Sequence, residues 1–456
     1  MVELLYLAAA VAFIVGLKLL GSPRRARAGN RVAAVGMLTA LVVTLVSQEI
    51  VDWATVVAGL AVGTALGVGF AVRVQMTAMP QMVAAFNGFG GLASALVATV
   101  AVIRADLDGI PAETAVPLLV SIVIGAVTFT GSSVAFGKLQ GLLPGRPLGY
   151  GGQHIVNGAL AVALVGFAIW AGVAGETTGY WVVAALALVV GVLGVVPIGG
   201  ADMPVVISLL NSFSGLAAAA TGLAIERNEL IIGGALVGAA GLILTVQMTE
   251  AMNRSLANVL FAGFGSDGGA GGPAGPIGER PVTRATPGDV AIALAYAESV
   301  LIVPGYGLAV AQAQHAVRKL ADAIEAQGGT VNYAIHPVAG RMPGHMNVLL
   351  AEADVDYEQL LDLDRADPMF PQTDVVLVLG ANDVVNPSAR DDPSSPIYGM
   401  PILNVDRAAR VVVVKRSLSP GFAGIDNPLF YEERTMMLFA DAKGALEDTL
   451  AALDAL

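Results

Sequence analysis

The sequence predicts a polytopic α-helical membrane domain of about nine spans, followed by an α/β domain built on a doubly wound parallel sheet. Three observations carry that reading. From Leu4 to about Met252 nearly every stretch is apolar at bilayer-spanning length. Residues 263–288, opening Gly-Phe-Gly-Ser-Asp-Gly-Gly-Ala-Gly-Gly-Pro, hold too little apolar surface to pack. Beyond them short apolar strands alternate with helical segments. The chain therefore reads as a transmembrane domain over 1–262, a flexible linker over 263–288 and a nucleotide-type domain over 289–456.

Spans of about 20 residues fall near 3–20, 32–50, 54–73, 81–103, 116–136, 154–174, 180–198, 204–224 and 230–252. The first is a span and not a removed signal, because its basic cluster follows the apolar run instead of preceding it. Under this count Arg24, Arg25, Arg27, Arg31, Arg73, Lys138, Arg146 and Arg254 share one side, and only Arg104 and Arg227 take the other. Positive charge stays inside, which sets the N-terminus outside and the C-terminal domain in the cytoplasm.

Net charge is -12 over 456 residues, with 55% hydrophobic and 13% charged side chains. Residues 1–262 hold 11 basic and 11 acidic groups, so the whole imbalance lies in the remainder, with 13 basic and 25 acidic. So acidic a domain repels nucleic acid and anionic membrane surfaces. The absence of cysteine removes disulfides, thiolate metal sites and Cys nucleophiles, and no metal site is expected.

The fourth and eighth spans repeat one another. Met79-Pro80, Asn87, Phe89, Gly91-Leu92-Ala93 and Ala95 align with Met203-Pro204, Asn211, Phe213, Gly215-Leu216-Ala217 and Ala219 at a single offset of 124. Four spans separate the copies, so both run in the same direction, as in parallel-repeat transporters. Asn87 and Asn211 each lie about 10 Å past the proline at 1.5 Å per residue. They either bond across helices or line a hydrated proton route, and neither amide titrates. No histidine lies mid-span; His154 opens the sixth span as an interfacial residue or a relay. Asp202 either caps the eighth span or serves proton exit, and Glu250 with Arg254 is spaced as an i,i+4 ion pair.

In the C-terminal part strands are expected at Val300–Val303, Thr330–Ile335, Asn347–Leu350, Val375–Leu379, Pro401–Val405 and Arg410–Val414, with a helix to about Ala326 and another from about Met436. This alternation is Rossmann-like, with the ligand at the carboxyl ends of the strands. The first strand runs into Gly305-Tyr306-Gly307-Leu308-Ala309-Val310, a Gly-x-Gly fingerprint lacking its third glycine. The second strand ends in Ile335-His336-Pro337, without the acidic residue that takes the ribose hydroxyls of NAD. Lys415-Arg416-Ser417 instead follows Val411–Val414, two cations and a hydroxyl that suit a 2′-phosphate and favour NADP(H). Two more Gly-rich loops, His336 to His345 and Gly380 to Pro387, occupy ligand-facing ends. Arg341 could clamp a pyrophosphate there, and Asp383 is either a turn former or a titratable sensor. No nucleophile constellation is present, so the chemistry belongs to the cofactor.

Taken together, Pro-Gly-Tyr-Gly (304–307), the run from His336 to Glu352, Gly-Ala-Asn-Asp (380–383), Lys-Arg-Ser (415–417), Gly-Ala-Asp-Met-Pro (200–204) and Ala-Met-Asn-Arg-Ser (251–255) resemble the beta subunit of the proton-translocating NAD(P) transhydrogenases over essentially the whole chain. The resemblance implies NADP(H) on this chain, flipped relative to ordinary dinucleotide folds. Its contacts would be Tyr306, Val338, Ala339, Gly340, Arg341, Met342, Pro343, Gly380, Ala381, Asn382, Asp383, Val384, Gly399, Met400, Lys415, Arg416, Ser417, Gly421, Phe422, Asp441 and Ala442. It further implies an Si-Re-specific transhydrogenase in a bacterial inner or plasma membrane. A partner alpha subunit would carry NAD(H) and further spans, in a dimer of the whole complex, with Asn87, Asn211, Asp202 and Asp383 in the coupling route. Many members carry a membrane histidine where this chain has Asn87, so either a partner subunit's span supplies that group or the proton route differs. The rival reading is an ion transporter or channel whose cytoplasmic domain only senses nucleotides; it lacks a selectivity-filter sequence.

Overall fold

The computed structural model describes residues 2–21, 23–47, 52–105, 110–145, 147–174, 177–253, 255–256, 259, 280–342, 344–395, 397–421 and 423–456. Pro343, Phe422, Arg254 and the expected linker residues 263–279 lie outside them. The chain forms two compact units; residues 1–246 belong to the first, and the strands and helices from Thr283 onward to the second.

Among the described residues nine helices are long and apolar enough to cross a membrane: α1 (Val2–Leu20), α2 (Pro23–Ser47), α3 (Trp53–Arg73), α4 (Met79–Ala105), α5 (Ala112–Leu139), α6 (Gln153–Ala174), α7 (Thr177–Val195), α8 (Met203–Ala224) and α9 (Asn228–Ala251). The second begins well before the expected residue 32, because Arg25, Arg27 and the alanines among them are good helix formers that carry the helix past the apolar run. The seventh stops at Val195 and not at 198, since Pro197 drives the residue before it out of helical geometry. On α3 no residue is buried, so all its apolar faces meet lipid or another chain.

The repeat at offset 124 is structural as well as sequential. A 3₁₀ turn at Met76–Ala78 leads into α4, and its counterpart Gly200–Asp202 leads into α8. One turn past each asparagine a glycine lets the next helix touch backbone to backbone. A Cβ on Gly91 would stand 2.7 Å from the Gly125 carbonyl oxygen of α5, and one on Gly215 would stand 2.5 Å from the Gly238 nitrogen of α9. Small residues at such crossings replace the hydrophobic drive that lipid cannot supply.

The second unit is a seven-stranded parallel sheet of β1 (Thr283–Arg284), β2 (Ser299–Pro304), β3 (Thr330–Ala334), β4 (Leu360–Leu361), β5 (Val375–Leu379), β6 (Arg410–Val414) and β7 (Thr435–Leu438). Its order is β1-β7-β6-β5-β2-β3-β4, with Val300 to Pro304 registered against Val375 to Leu379. The connections turn one way after β2 and the other after β5, so the switch point lies between those two strands. Every residue of β5 is buried, as parallel strands covered on both faces require. Helices α10 (Pro287–Ala295), α11 (Tyr306–Val310), α12 (Gln314–Ala326), α13 (His345–Glu352), α14 (Leu363–Ala366), α15 (Ser388–Asp391) and α16 (Ala442–Leu453) complete the unit. Phe370, Leu403 and Phe430 pack with the alternate residues Val376, Val378, Val411 and Val413 of the central strands.

Three expected elements differ. Asn347–Leu350 is not a strand but part of α13, which starts from Gly344 at φ 66° and buries Met346, Leu349 and Leu350 at helical spacing. Pro401–Val405 is irregular: its proline has no N–H to give, and Leu403 donates to the Val384 carbonyl of a loop instead of to a strand. The run from Met436 opens as β7, pairing Met436 with Val412, and the helix begins only at Ala442 behind its cap Asp441. A buried central strand carries no alternation, so periodicity alone could not separate it from a helix.

His336 anchors the irregular segment. Its Nε2 meets the Pro401 carbonyl at 2.7 Å, and its Nδ1 accepts from the Val338 N–H at 3.2 Å. Both ring nitrogens are thereby committed to the neutral form. Burial pushes its pKa down to about 4, against a weaker upward pull from the Pro401 bond.

Gly215→Leu should cost about 1–3 kcal/mol through overpacking, seen as a lower melting midpoint of the purified protein. Gly59→Leu, with open space around it, should leave that midpoint unmoved. For His336 the neutral form is favoured on folding. Its contribution is therefore complete above the unfolded value of 6.5 and is lost as pH falls from 6.5 through about 4. The loss amounts to about 3 kcal/mol, and denaturant midpoints of residues 280–456 between pH 7 and pH 4 should trace it. His336→Gln should flatten that slope.

Candidate nucleotide site and membrane polar residues

All the loops expected to meet a ligand gather at the carboxyl ends of the strands, after β2, β3, β5, β6 and β7. The loops after β2 and β5 lock together at the switch point. Gly305 N–H donates to Leu379 O at 2.9 Å and Gly307 N–H to Gly380 O at 3.0 Å. A Cβ on Gly305 would fall 2.5 Å from Ala381 Cα, and one on Gly307 2.6 Å from Gly380 Cα. Gly380 itself sits at φ 65°, so no side chain fits on either strand of this junction. The glycines thus serve the approach of one loop to the other.

Tyr306 follows immediately. The Arg341 guanidinium lies 4.2 Å over its ring, and His345 is tilted against it at 6.2 Å. Arg341 N–H donates to His345 Nδ1 at 3.1 Å, while Gly340 at φ 102° leaves room for that imidazole, which is buried. The loop after β3 is therefore pinned, and it holds one cation against an aromatic face beside the switch point. Val338, Gly340 and Met342 are half-buried along it and Ala339 is buried. Gly399 at φ 81° and Met400 precede Pro401, the residue that holds His336.

The loop after β6 folds onto the loop after β5. Lys415 donates to the Ser419 carbonyl and lies 5.0 Å over the Phe430 ring. Burial pushes its ammonium below the ordinary lysine range, against the opposing pull of Asp383 and Asp426. The Asp383 carboxylate accepts from Ala423 N–H at 3.0 Å. The Asn382 amide lies within 3.1 Å of Lys415 Nζ and 2.7 Å of Gly421 N–H, with its oxygen turned to accept from both. Arg416 and Ser417 stay exposed, and the Ser417 hydroxyl meets that of Ser419 at 2.8 Å. Asp441 caps α16 by accepting from Lys443 N–H at 3.1 Å, and Ala442 is buried behind it.

Sequence reasoning missed one clamp. Asn386 Nδ2 donates to Asp426 O at 3.0 Å, the Tyr431 hydroxyl donates to the Asp426 carboxylate at 3.0 Å, and Asn427 Nδ2 donates to Asn382 O at 3.2 Å. Asp426-Asn427-Pro428 is a turn signal that could have flagged it.

In the membrane unit Asn87 is buried and its Nδ2 donates to Ile207 O of α8 at 3.2 Å. The bond joins the two repeats. Asn211 is half-buried, and among the described residues it makes no equivalent bond back to Val83. Further along α8 Thr221 shares a hydroxyl contact of 2.6 Å with Ser121 of α5, and Ser212, next to Asn211, donates to Gly238 O at 2.6 Å. Asp202 is buried and does not cap α8 with its side chain, which removes the simple capping role. Lys138 is buried and donates to Val196 O and Ile198 O at 2.6 and 2.7 Å, a cation on the carbonyls that follow α7. Among the described residues no cluster of three potential metal ligands exists.

Residues 2–452 match the family described as NAD(P) transhydrogenase beta subunit. Two proteins named NAD(P) transhydrogenase subunit beta, both from Rhodospirillum rubrum and one of them from a designated strain, are 48% identical to the chain over 455 residues, covering 98% of it and 98% of each relative. The chain belongs to the NAD(P) transhydrogenase beta subunit family.

Proposed function

We propose that this family member holds NADP(H) at the carboxyl edge of its sheet, takes hydride there from NADH on a partner alpha subunit, and couples the transfer to proton passage through its helices. The observation that carries the reading is the basic loop Lys415-Arg416-Ser417 at the end of β6, tied to Asn382 and Asp383 beside a bare-backbone switch point. The donor set fits this cofactor: no acidic side chain ends β3, where Ala334-Ile335-His336 stands, so a plain ribose has no carboxylate partner. When bound, NADP(H) supplies the nicotinamide carbon that accepts or releases hydride.

The chain's own residues position and sense. Arg416, Ser417 and Lys415 would hold the 2′-phosphate, and Arg341, braced on Tyr306, the pyrophosphate. Gly305, Gly307, Gly380 and Ala381 keep side chains out of the way. Asp383 joins the loops after β5 and β6 through Ala423 N–H and the Lys415 charge, so a change in either loop reaches its carboxylate. On the membrane side Asn87, Asn211 and Asp202 would line the route, with a titrating group from the partner's spans. The one-sided distribution of basic residues supports an orientation with the N-terminus outside and the sheet unit in the cytoplasm.

Calorimetric titration of residues 280–456 should give selective binding of NADPH over NADH. Lys415→Ala with Arg416→Ala should weaken NADPH at least tenfold more than NADH, since charge-assisted bonds contribute about 1.5–3 kcal/mol; equal losses would remove the 2′-phosphate assignment. Asn211→Ala should slow proton-coupled turnover in reconstituted vesicles while NADP(H) affinity of the sheet unit stays intact. An unaltered coupled rate would return Asn211 to helix packing.

A further inference from the structure

The repeats α4 and α8 pack side by side, and equivalent residues meet across the seam. Gly90 and Ser214 are separated by the same offset of 124 that aligns the asparagines, and a Cβ on Gly90 would stand 3.8 Å from Ser214 Cβ. A residue that faces its own repeat partner marks a local two-fold axis, here running along the helices as parallel repeats require. Every contact across the seam then has an image. Asn87 Nδ2 donates to Ile207 O at 3.2 Å, and the offset turns that bond into one from Asn211 Nδ2 to Val83 O. The first is made, and among the described residues the second is not.

Exact symmetry would give both bonds or neither. Ile207 and Val83 each stand four residues before an asparagine, so both bonds run about one turn toward the helix N-termini. Sliding α4 along α8 toward its own N-terminus therefore shortens one and lengthens the other by equal amounts. The structure holds the pair slid to one side. The seam offers the two sides alike: both donors are asparagine amides, both acceptors are helix carbonyls, and small residues stand on the axis. A neighbour sets the bias. Ser121 of α5 meets the Thr221 hydroxyl of α8 at 2.6 Å and lies 3.3 Å from Ser94 O of α4, whereas the image of Thr221 is Val97, which has no hydroxyl.

We propose that α4 and α8 exchange between this arrangement and its two-fold image, in which Asn211 donates to Val83 O and Asn87 releases Ile207 O. Each state keeps one interhelical amide bond, so the difference in energy between them is left to the neighbours. Packed helices pass between discrete positions of this kind by small slides. The exchange itself does not depend on the nucleotide reading; its use in proton coupling rests on the proposed function, with NADP+ and NADPH favouring opposite sides.

The chain contains no cysteine, so introduced pairs supply its only thiols. The test uses the intact complex with its partner chains, reconstituted in lipid, with a copper oxidant to form disulfides and mass spectrometry to quantify linked peptides. Ser94→Cys with Ser214→Cys and Gly90→Cys with Ala218→Cys are two-fold images of one another. Sliding α4 toward its N-terminus brings the first pair together and separates the second. The ratio of the first linkage rate to the second should fall about threefold or more in Asn87→Ala and rise by about as much in Asn211→Ala, the weight of one interhelical bond within a bilayer. Gly90→Cys with Ser214→Cys lies on the axis, with Cβ atoms 3.8 Å apart as in a disulfide, and should link equally in every background that folds. Asn211→Ala removes no bond to Val83 from this structure, so it decides the matter even where Asn87→Ala fails to fold. A ratio unmoved by Asn211→Ala, as a partner span bonding that amide would give, overturns the exchange. So does a ratio that moves the same way in both variants. With both asparagines in place, NADP+ and NADPH should move the ratio in opposite directions; no response to nucleotide, when the variants do shift it, overturns the link to coupling and not the exchange.

Discussion

Both units depend on backbone approaching backbone at glycine. In the membrane, lipid is as apolar as leucine, so helices gain little by hiding side chains from it and are held by close packing and interhelical hydrogen bonds. Gly91 against Gly125 and Gly215 against Gly238 provide that packing one turn past each asparagine, and the Asn87 amide provides an interhelical bond to the Ile207 carbonyl. In the sheet unit Gly307 against Gly380 brings the two loops of the switch point into a single ledge, and every candidate ligand contact is arranged about it. A methyl group at any of these positions would separate the elements that carry the polar residues.

Electrostatics divides along the same lines. The helical unit is neutral in sum and places its buried charge at helix ends, as Lys138 does on the carbonyls after α7. The sheet unit is strongly acidic, yet at the end of β6 it presents Lys415 and Arg416 together. Lys415 is held by Ser419, Asn382 and the charges of Asp383 and Asp426. On the proposed function, a dianionic phosphate would draw Lys415 away from Asp383 and loosen the tie between the loops after β5 and β6.

The architecture was legible because its signals are long: nine apolar runs, a repeat at one offset, and Val-rich strands that end in glycine loops. The family was legible because six motifs fall in order between Gly200 and Ser417. What stayed hidden was set by tertiary contact. The strand expected at Asn347–Leu350 is a helix because Gly344 adopts a left-handed backbone and starts it. Pro401–Val405 is held by a histidine 65 residues away. The turn Asp426-Asn427 reaches back to Asn382 and Asn386, and no local pattern states that distance. The 3₁₀ turns before α4 and α8 extend the repeat beyond its matched residues, since sequence identity had already faded there while the geometry persisted.

The repeat is symmetric in its backbone and asymmetric in its bonds, and that difference bears on the proposed coupling. Asn87 donates to Ile207 O, whereas the counterpart from Asn211 to Val83 O is not made among the described residues. One such bond within a bilayer is worth about 0.6–2 kcal/mol. A proton crossing a potential of about 180 mV carries about 4 kcal/mol. Exchange of a single amide bond is thus too small to hold the whole of that energy. On the proposed function it must be spread over several contacts among α4, α5 and α8, the Ser121–Thr221 hydroxyl pair of α5 and α8 included. The amides can transmit a change of helix position, and the charge itself must be taken up by a group that titrates.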